Sequence, residues 1–149
     1  SLFARNILNE KNGPPPEINL FNEKNNGETI LKLVENDLIK SVHDISLGGI
    51  ITAISKMCIK GNKGINLKKP KYLISDIEYY FSEDQGRYLI EITKGHYKKV
   101  TDMLNKNAVH FDELGTVNED KLYIDEKTKV TIDELKTSNK SWLYNYMSN

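Results

Sequence analysis

Ser41-Val42-His43-Asp44-Ile45-Ser46-Leu47-Gly48-Gly49-Ile50 is the stretch that decides how this chain is read. A β-type lead-in passes through short polar side chains to two glycines, directly ahead of the apolar run that carries Cys58. Such residues build a polar nest at a helix N-terminus. Asp44 or Ser46 can accept from the exposed N–H groups, and side-chain-free Gly48 and Gly49 let an anion or another backbone come within contact distance. A capped helix after a tight turn uses the same residues, so the segment alone leaves both readings open.

Working outward, Ile50, Ile51, Ala53, Ile54, Met57 and Cys58 cover most of the circumference of a helix over 48–60. A helix apolar nearly all round is expected to be buried against a sheet and another layer. Gly61-Asn62-Lys63-Gly64 supplies its stop and turn. Upstream, Ile30, Leu31, Val34 and Leu38 share one stripe and predict a helix over 27–40. Gly13-Pro14-Pro15-Pro16 reads as a stiff extended connector. Leu2 to Leu8 reads as the end of a helix entered abruptly, as though something upstream had been removed. The division expected is a linking helix and Pro-rich connector over 1–26 and one folded domain over 27–149.

Downstream, the polar loop Ser82-Glu83-Asp84-Gln85-Gly86 precedes a strand over 87–93 with Tyr88, Ile90 and Ile92 on one face. A helix over 96–106 follows, with Tyr97, Val100, Met103 and Leu104 inward. Strands are predicted over 108–117, 121–124 and 129–132, and a closing helix over 133–147 turns Leu135, Trp142, Leu143 and Tyr146 inward. The fold class is α+β, a layered mixed sheet of four to six strands with packed helices.

The 149 residues are a single-domain length, and 21 basic residues balance 21 acidic ones with the lysines scattered. That argues against a nucleic-acid or membrane-surface partner. No apolar run approaches the roughly 18 residues of a membrane span. Cys58 has no second cysteine to pair with, so an inert buried thiol in a reducing, cytoplasmic setting is expected. His43, His96 and His110 are isolated from one another, giving no metal-ligand spacing. No phosphate-binding P-loop, Rossmann glycine pattern or nucleophile elbow occurs. Only Arg5 and Arg87 among the basic residues are arginine. A planar fork suits bidentate contacts that lysine cannot make, and Arg87 is placed to fasten the 82–86 loop through Glu83, Asp84 or another carboxylate. Glu83, Asp84 and Gln85 are otherwise either a solvated loop or part of a site.

His43-Asp44-Ile45-Ser46-Leu47-Gly48-Gly49 resembles the H-D-x-S-x-G-G signature of the aminoimidazole-ribonucleotide-synthetase-related (AIR synthase-related) superfamily. The order that follows is also similar: an apolar helix, Gly61-Asn62-x-Gly64, a short strand, then Phe81-Ser82-Glu83-Asp84-Gln85-Gly86-Arg87-Tyr88. With Ser1-Leu2-Phe3-Ala4-Arg5 and Gly13-Pro14-Pro15-Pro16, the chain resembles, over essentially its whole length, the second half of the phosphoribosylformylglycinamidine (FGAM) synthases. The resemblance implies a C-terminal domain of the AIR synthase-related type, in an enzyme that converts formylglycinamide ribonucleotide to its amidine in purine biosynthesis. That enzyme uses ATP and Mg, bound mainly by an N-terminal domain that this chain lacks. It takes ammonia from a glutaminase domain or subunit, and the isolated domain is expected to be inactive. No catalytic residue and no metal ligand is implied here. His43, Asp44, Ser46, Gly48 and Gly49 become candidates for a substrate or nucleotide phosphate, and Glu83, Asp84, Gln85 and Arg87 for loop contacts. A Glu-Ser-Gln triplet touches substrate in the related first-half domain. Here Asp84 replaces its hydroxyl, so the pseudo-symmetric site of this half is either a working site or a structural relic. Other superfamily members, such as aminoimidazole ribonucleotide synthetase or selenophosphate synthetase, and a non-catalytic packing module remain the alternatives.

Overall fold

The computed structural model describes residues 1–70 and 75–148, and the side chain of Leu143, expected above to face inward, lies outside the described residues. The elements in chain order are α1 (Leu2–Asn6), α2 (Leu20–Glu35), β1 (Ser41–Asp44), α3 (Gly49–Gly61), β2 (Gly64–Leu67), α4 (Asp76–Phe81), β3 (Tyr88–Glu91), α5 (Tyr97–Lys106), β4 (Gly115–Asn118), β5 (Lys121–Ile124), β6 (Thr128–Thr131) and α6 (Ile132–Met147). Two compact units share the chain, residues 1–53 with 74–112 and residues 54–73 with 113–149. The length had suggested a single body.

In the first unit, α2 begins at Leu20 rather than Gly27 because Asn19 caps it, its side chain accepting from the Asn22 N–H at 3.0 Å. It stops at Glu35, where Asp37 takes a left-handed φ of 53°. The predicted stripe is rotated in fact. Leu31 is 60% exposed and Val34 is exposed, whereas Thr29 and Leu33 are buried and Ile30 packs inward. Thr29 is tolerated inside because its hydroxyl donates to the Asn25 carbonyl one turn back. Leu33, Leu38, Val100 and Leu104 form the core cluster, covered by Ile30, Ile39, Ile90, Ile92, Met103, Val109 and Phe111. Tyr97 does not join it; as the first residue of α5 it is largely exposed.

Strand β3 pairs antiparallel with β1, matching Val42 with Ile90 and Asp44 with Tyr88. Its single apolar face needs correcting, since Leu89 on the opposite face is buried and Tyr88 is exposed. Both faces of this ladder therefore carry apolar side chains.

Among the described residues, the second unit holds a four-stranded mixed sheet in the order β4-β2-β5-β6, parallel between β2 and β5 and antiparallel elsewhere. Leu67, Leu122 and Ile132 are buried in it. The strand expected over 108–117 is only Gly115–Asn118. Ala108 turns left-handed at φ 53°, and Val109 and Phe111 serve the first unit's core instead of a ladder. Helix α6 opens with a capping box between Thr131 and Glu134. Trp142 and Tyr146, expected inward, are exposed and cover each other, rings stacked at 5.6 Å.

Cys58 is buried in α3, and burial pushes its thiol from the ordinary 9.0 up to about 11. The neutral thiol is the form the fold accepts. Its contribution to stability is present below about pH 9 and is lost as pH rises toward 11. Thiol-reagent kinetics at pH 8 should show Cys58 modified at least ten times more slowly in the folded chain than in denaturant. Cys58→Ala should fold normally with a loss of about 1 to 3 kcal/mol.

Candidate functional site

Strand β1 delivers the glycine-rich turn. Its pairing with β3 continues one step past Asp44, where the Ile45 N–H donates to the Arg87 carbonyl at 2.9 Å. This brings the end of β1 and the 82–87 loop side by side. His43 is half-buried with Nδ1 2.5 Å from the Asp44 carbonyl oxygen and 3.4 Å from Asp44 Oδ1, while Asp44 and Ser46 are exposed. The chain then turns through Gly48 (φ 83°) and Gly49 (φ 70°), conformations that side-chain-bearing residues avoid. The Gly49 N–H returns to the Ser46 carbonyl at 3.0 Å.

Gly49 is required by space as well as by φ. A Cβ there would lie 2.6 Å from the Tyr80 carbonyl oxygen and 2.8 Å from the Phe81 backbone, so the end of α4 rests directly on the start of α3. Helix α4 is itself fixed by a capping box in which Ser75 and Glu78 exchange bonds, and those bonds hold the Glu78 carboxyl below its ordinary range. The loop after α4 therefore starts from a set position.

Within that loop the acidic and basic side chains go different ways. One oxygen of Glu83, Oε1, accepts from the Leu2 N–H at 2.7 Å and from the Gly48 N–H at 2.9 Å. Phe3 adds a ring stack on Phe81 at 4.2 Å, so α1 meets the same loop through two contacts. Arg87 does not reach Glu83. Its Nη2 donates to the Ser82 carbonyl (2.8 Å) and hydroxyl (3.0 Å), its Nε donates to the Asp84 carbonyl (3.3 Å), and Nη2 stands 3.5 Å from Asp84 Oδ2. The expected fork is present, filled mainly by main-chain carbonyls and Ser82. Gln85 is exposed.

Sequence reasoning missed three participants. Asn26 donates to the Gly86 carbonyl at 2.9 Å, Glu23 packs under left-handed Gly86, and the Leu2 amide is held by Glu83. An Asn about two helical turns beyond an Asn cap carries no distinctive signal, and a backbone donor carries none at all. Glu23 Oε1 is buried without a hydrogen-bond partner among the described residues. Among the same residues no group of three His, Cys, Asp or Glu is placed to hold a metal ion, and no helix is long and apolar enough to cross a membrane.

The family described as AIR synthase related protein, C-terminal domain, matches residues 1–126. The chain belongs to that family. Over all 149 residues this AIR synthase related domain is 70% identical to the phosphoribosylformylglycinamidine synthase subunit PurL of Pelagibacter ubique, and it spans 20% of that protein's length. The solved structure of Thermotoga maritima PurL complexed with FGAR shares its fold, with a TM-score of 0.69 at 22% identity over 89% of this chain and 24% of that one. The same protein complexed with ATP gives 0.65 at 21% over 75% and 21%, and the PurLQS structure from T. maritima gives 0.68 at 22% over 89% and 24%.

Two predictions follow from the geometry of this domain. Gly49→Ala should cost about 2 to 4 kcal/mol, since left-handed strain adds to a backbone clash. Gly48→Ala should cost less, about 1 to 3 kcal/mol, because its Cβ would meet one side chain, Thr52, whose hydroxyl can rotate away while its Cβ, 2.9 Å from the added carbon, must shift slightly. Urea melts that rank the two variants in the reverse order would refute the close approach at Gly49. Arg87→Ala should lose about 1 to 3 kcal/mol, and Arg87→Lys should recover little of it, because an ammonium cannot reproduce the guanidinium's set of bonds. The same melts read both variants.

Proposed function

We propose that this chain is the C-terminal domain of the second half of a phosphoribosylformylglycinamidine synthase. The observation that carries this is the 70% identity to a PurL subunit along the whole chain. The reaction would replace the amide oxygen of formylglycinamide ribonucleotide by nitrogen, with ATP consumed and ammonia delivered by a glutaminase partner. The solved T. maritima PurL forms with FGAR, with ATP and in PurLQS support that substrate, nucleotide and partnership. Residues 1–19 would be the connection to an N-terminal domain of the same protein, and the folded domain would begin with α2.

The residues present do not fit an ATP and magnesium site by themselves. The Gly48 N–H is taken by Glu83, and the described acidic side chains do not gather into a cation cluster. Those groups would be held mainly by the N-terminal domain. The surface left for this domain to offer is the exposed rim of the turn, Asp44 and Ser46, beside half-buried His43. Gly48 and Gly49 set its shape.

The test is amidine formation by the intact protein supplied with formylglycinamide ribonucleotide, ATP, magnesium and ammonia. Product with matching phosphate release is expected from the intact protein and none from the 149-residue chain alone. No product from the intact protein would overturn the assignment, and product from the chain alone would overturn the placement of the ATP site.

A further inference from the structure

We propose that Glu83 is a built-in acceptor of the glycine-rich turn, a positioning residue that locks the α1 segment and the start of α3 to one loop. Its Oε1 uses both acceptor directions on main-chain donors, Leu2 N–H at 2.7 Å and Gly48 N–H at 2.9 Å. A carbonyl-type oxygen has two lone pairs, so that atom has no capacity left for a third partner. The two donors belong to segments far apart in sequence, and both lie within the first unit of the chain. An ionised acceptor makes each bond stronger than a neutral one would be.

The backbone around Glu83 leaves it little choice of position. Ser82 and Asp84 on either side have their carbonyls held by Arg87, and Gly86 is tied down by Asn26. The loop is thus fixed independently of Glu83, and the carboxylate projects from it onto the Gly48 amide. A nest of N–H groups at a helix start attracts negative charge, and here the chain supplies that charge itself. The consequence is a coupling. Anything that draws Glu83 from Gly48 also releases Leu2, so the turn and the α1 segment loosen together.

Hydrogen–deuterium exchange of the intact protein, read by mass spectrometry on peptides covering 1–8, 45–52 and, as control, 97–106, tests this. In Glu83→Ala, exchange over both 1–8 and 45–52 should accelerate at least tenfold with 97–106 unchanged. Glu83→Gln keeps an oxygen able to accept both N–H groups and should restore both segments to within about threefold of the parent. Phe3→Ala removes only the ring stack and should loosen 1–8 while leaving 45–52 protected. The proposal falls if either segment is unmoved by Glu83→Ala, if the control peptide accelerates with them, if Glu83→Gln is as unprotected as Glu83→Ala, or if Phe3→Ala frees both segments. None of these readings depends on amidine formation, so they stand apart from the test of the proposed activity.

Discussion

Backbone meets backbone at Gly49, and the first unit is arranged around that contact. The last turn of α4 lies so close to the first residue of α3 that no Cβ fits between them. Because α4 is held by its own capping box and α3 follows directly from β1, this one contact sets where the chain leaves α4. The loop at 82–87 must then run alongside the end of β1, and the Ile45 to Arg87 bond records that it does. Two left-handed glycines in succession have a real cost in conformational entropy, tolerated here because no other residue allows so close an approach.

The charged residues of the loop divide the work by geometry. Hydrogen bonds from a charged donor are worth about 1.5 to 3 kcal/mol, whereas a partly exposed ion pair contributes about 0 to 1. Arg87 is 30% exposed at its side chain and Asp84 is 51% exposed, with 3.5 Å between the charged atoms. Its bonds to the Ser82 and Asp84 carbonyls therefore outrank the ion pair, and Arg87 is a clasp for main-chain oxygens first. Glu83 does the complementary job, accepting main-chain N–H groups. Glu83 and Arg87, opposite in charge, close the loop without pairing with each other.

Much of this was legible in the residues. The apolar circumference of 50–58 marked a buried helix, Gly48-Gly49 marked a close approach, and the scarcity of arginine picked out Arg87. What stayed hidden was three-dimensional in origin. The start of α2 depended on an Asn cap ahead of residues with no apolar stripe, so periodicity placed it too late. The run at 108–114 has the apolar residues of a strand, yet Val109 and Phe111 are drawn into a core made by α2 and α5. Trp142 and Tyr146 show the opposite error: large aromatic residues were assigned inward, and in the structure they shelter against each other on the surface. At the glycine-rich turn, side-chain types pointed to Glu83 and Arg87 but not to the atoms they bind. The partners of Glu83 are backbone amides, and amides are the same at every position.

The parallel pairing of β2 with β5 has a consequence for how the protein is made. Ile65 pairs with Leu122 and Val117, and the whole 74–112 portion of the first unit is encoded between them. As the chain emerges from the ribosome at about 5 to 20 residues per second, β2 waits on the order of several seconds before either neighbour exists. Non-local pairings of this kind form slowly, since a long stretch of chain must be closed before any ladder bond rewards it. During that interval both edges of β2 are open templates for strands from other chains. Newly made molecules are thus at their most vulnerable to misassembly between the translation of β2 and that of β4 and β5, while the 74–112 portion is being made, a window in which chaperone binding would have most effect.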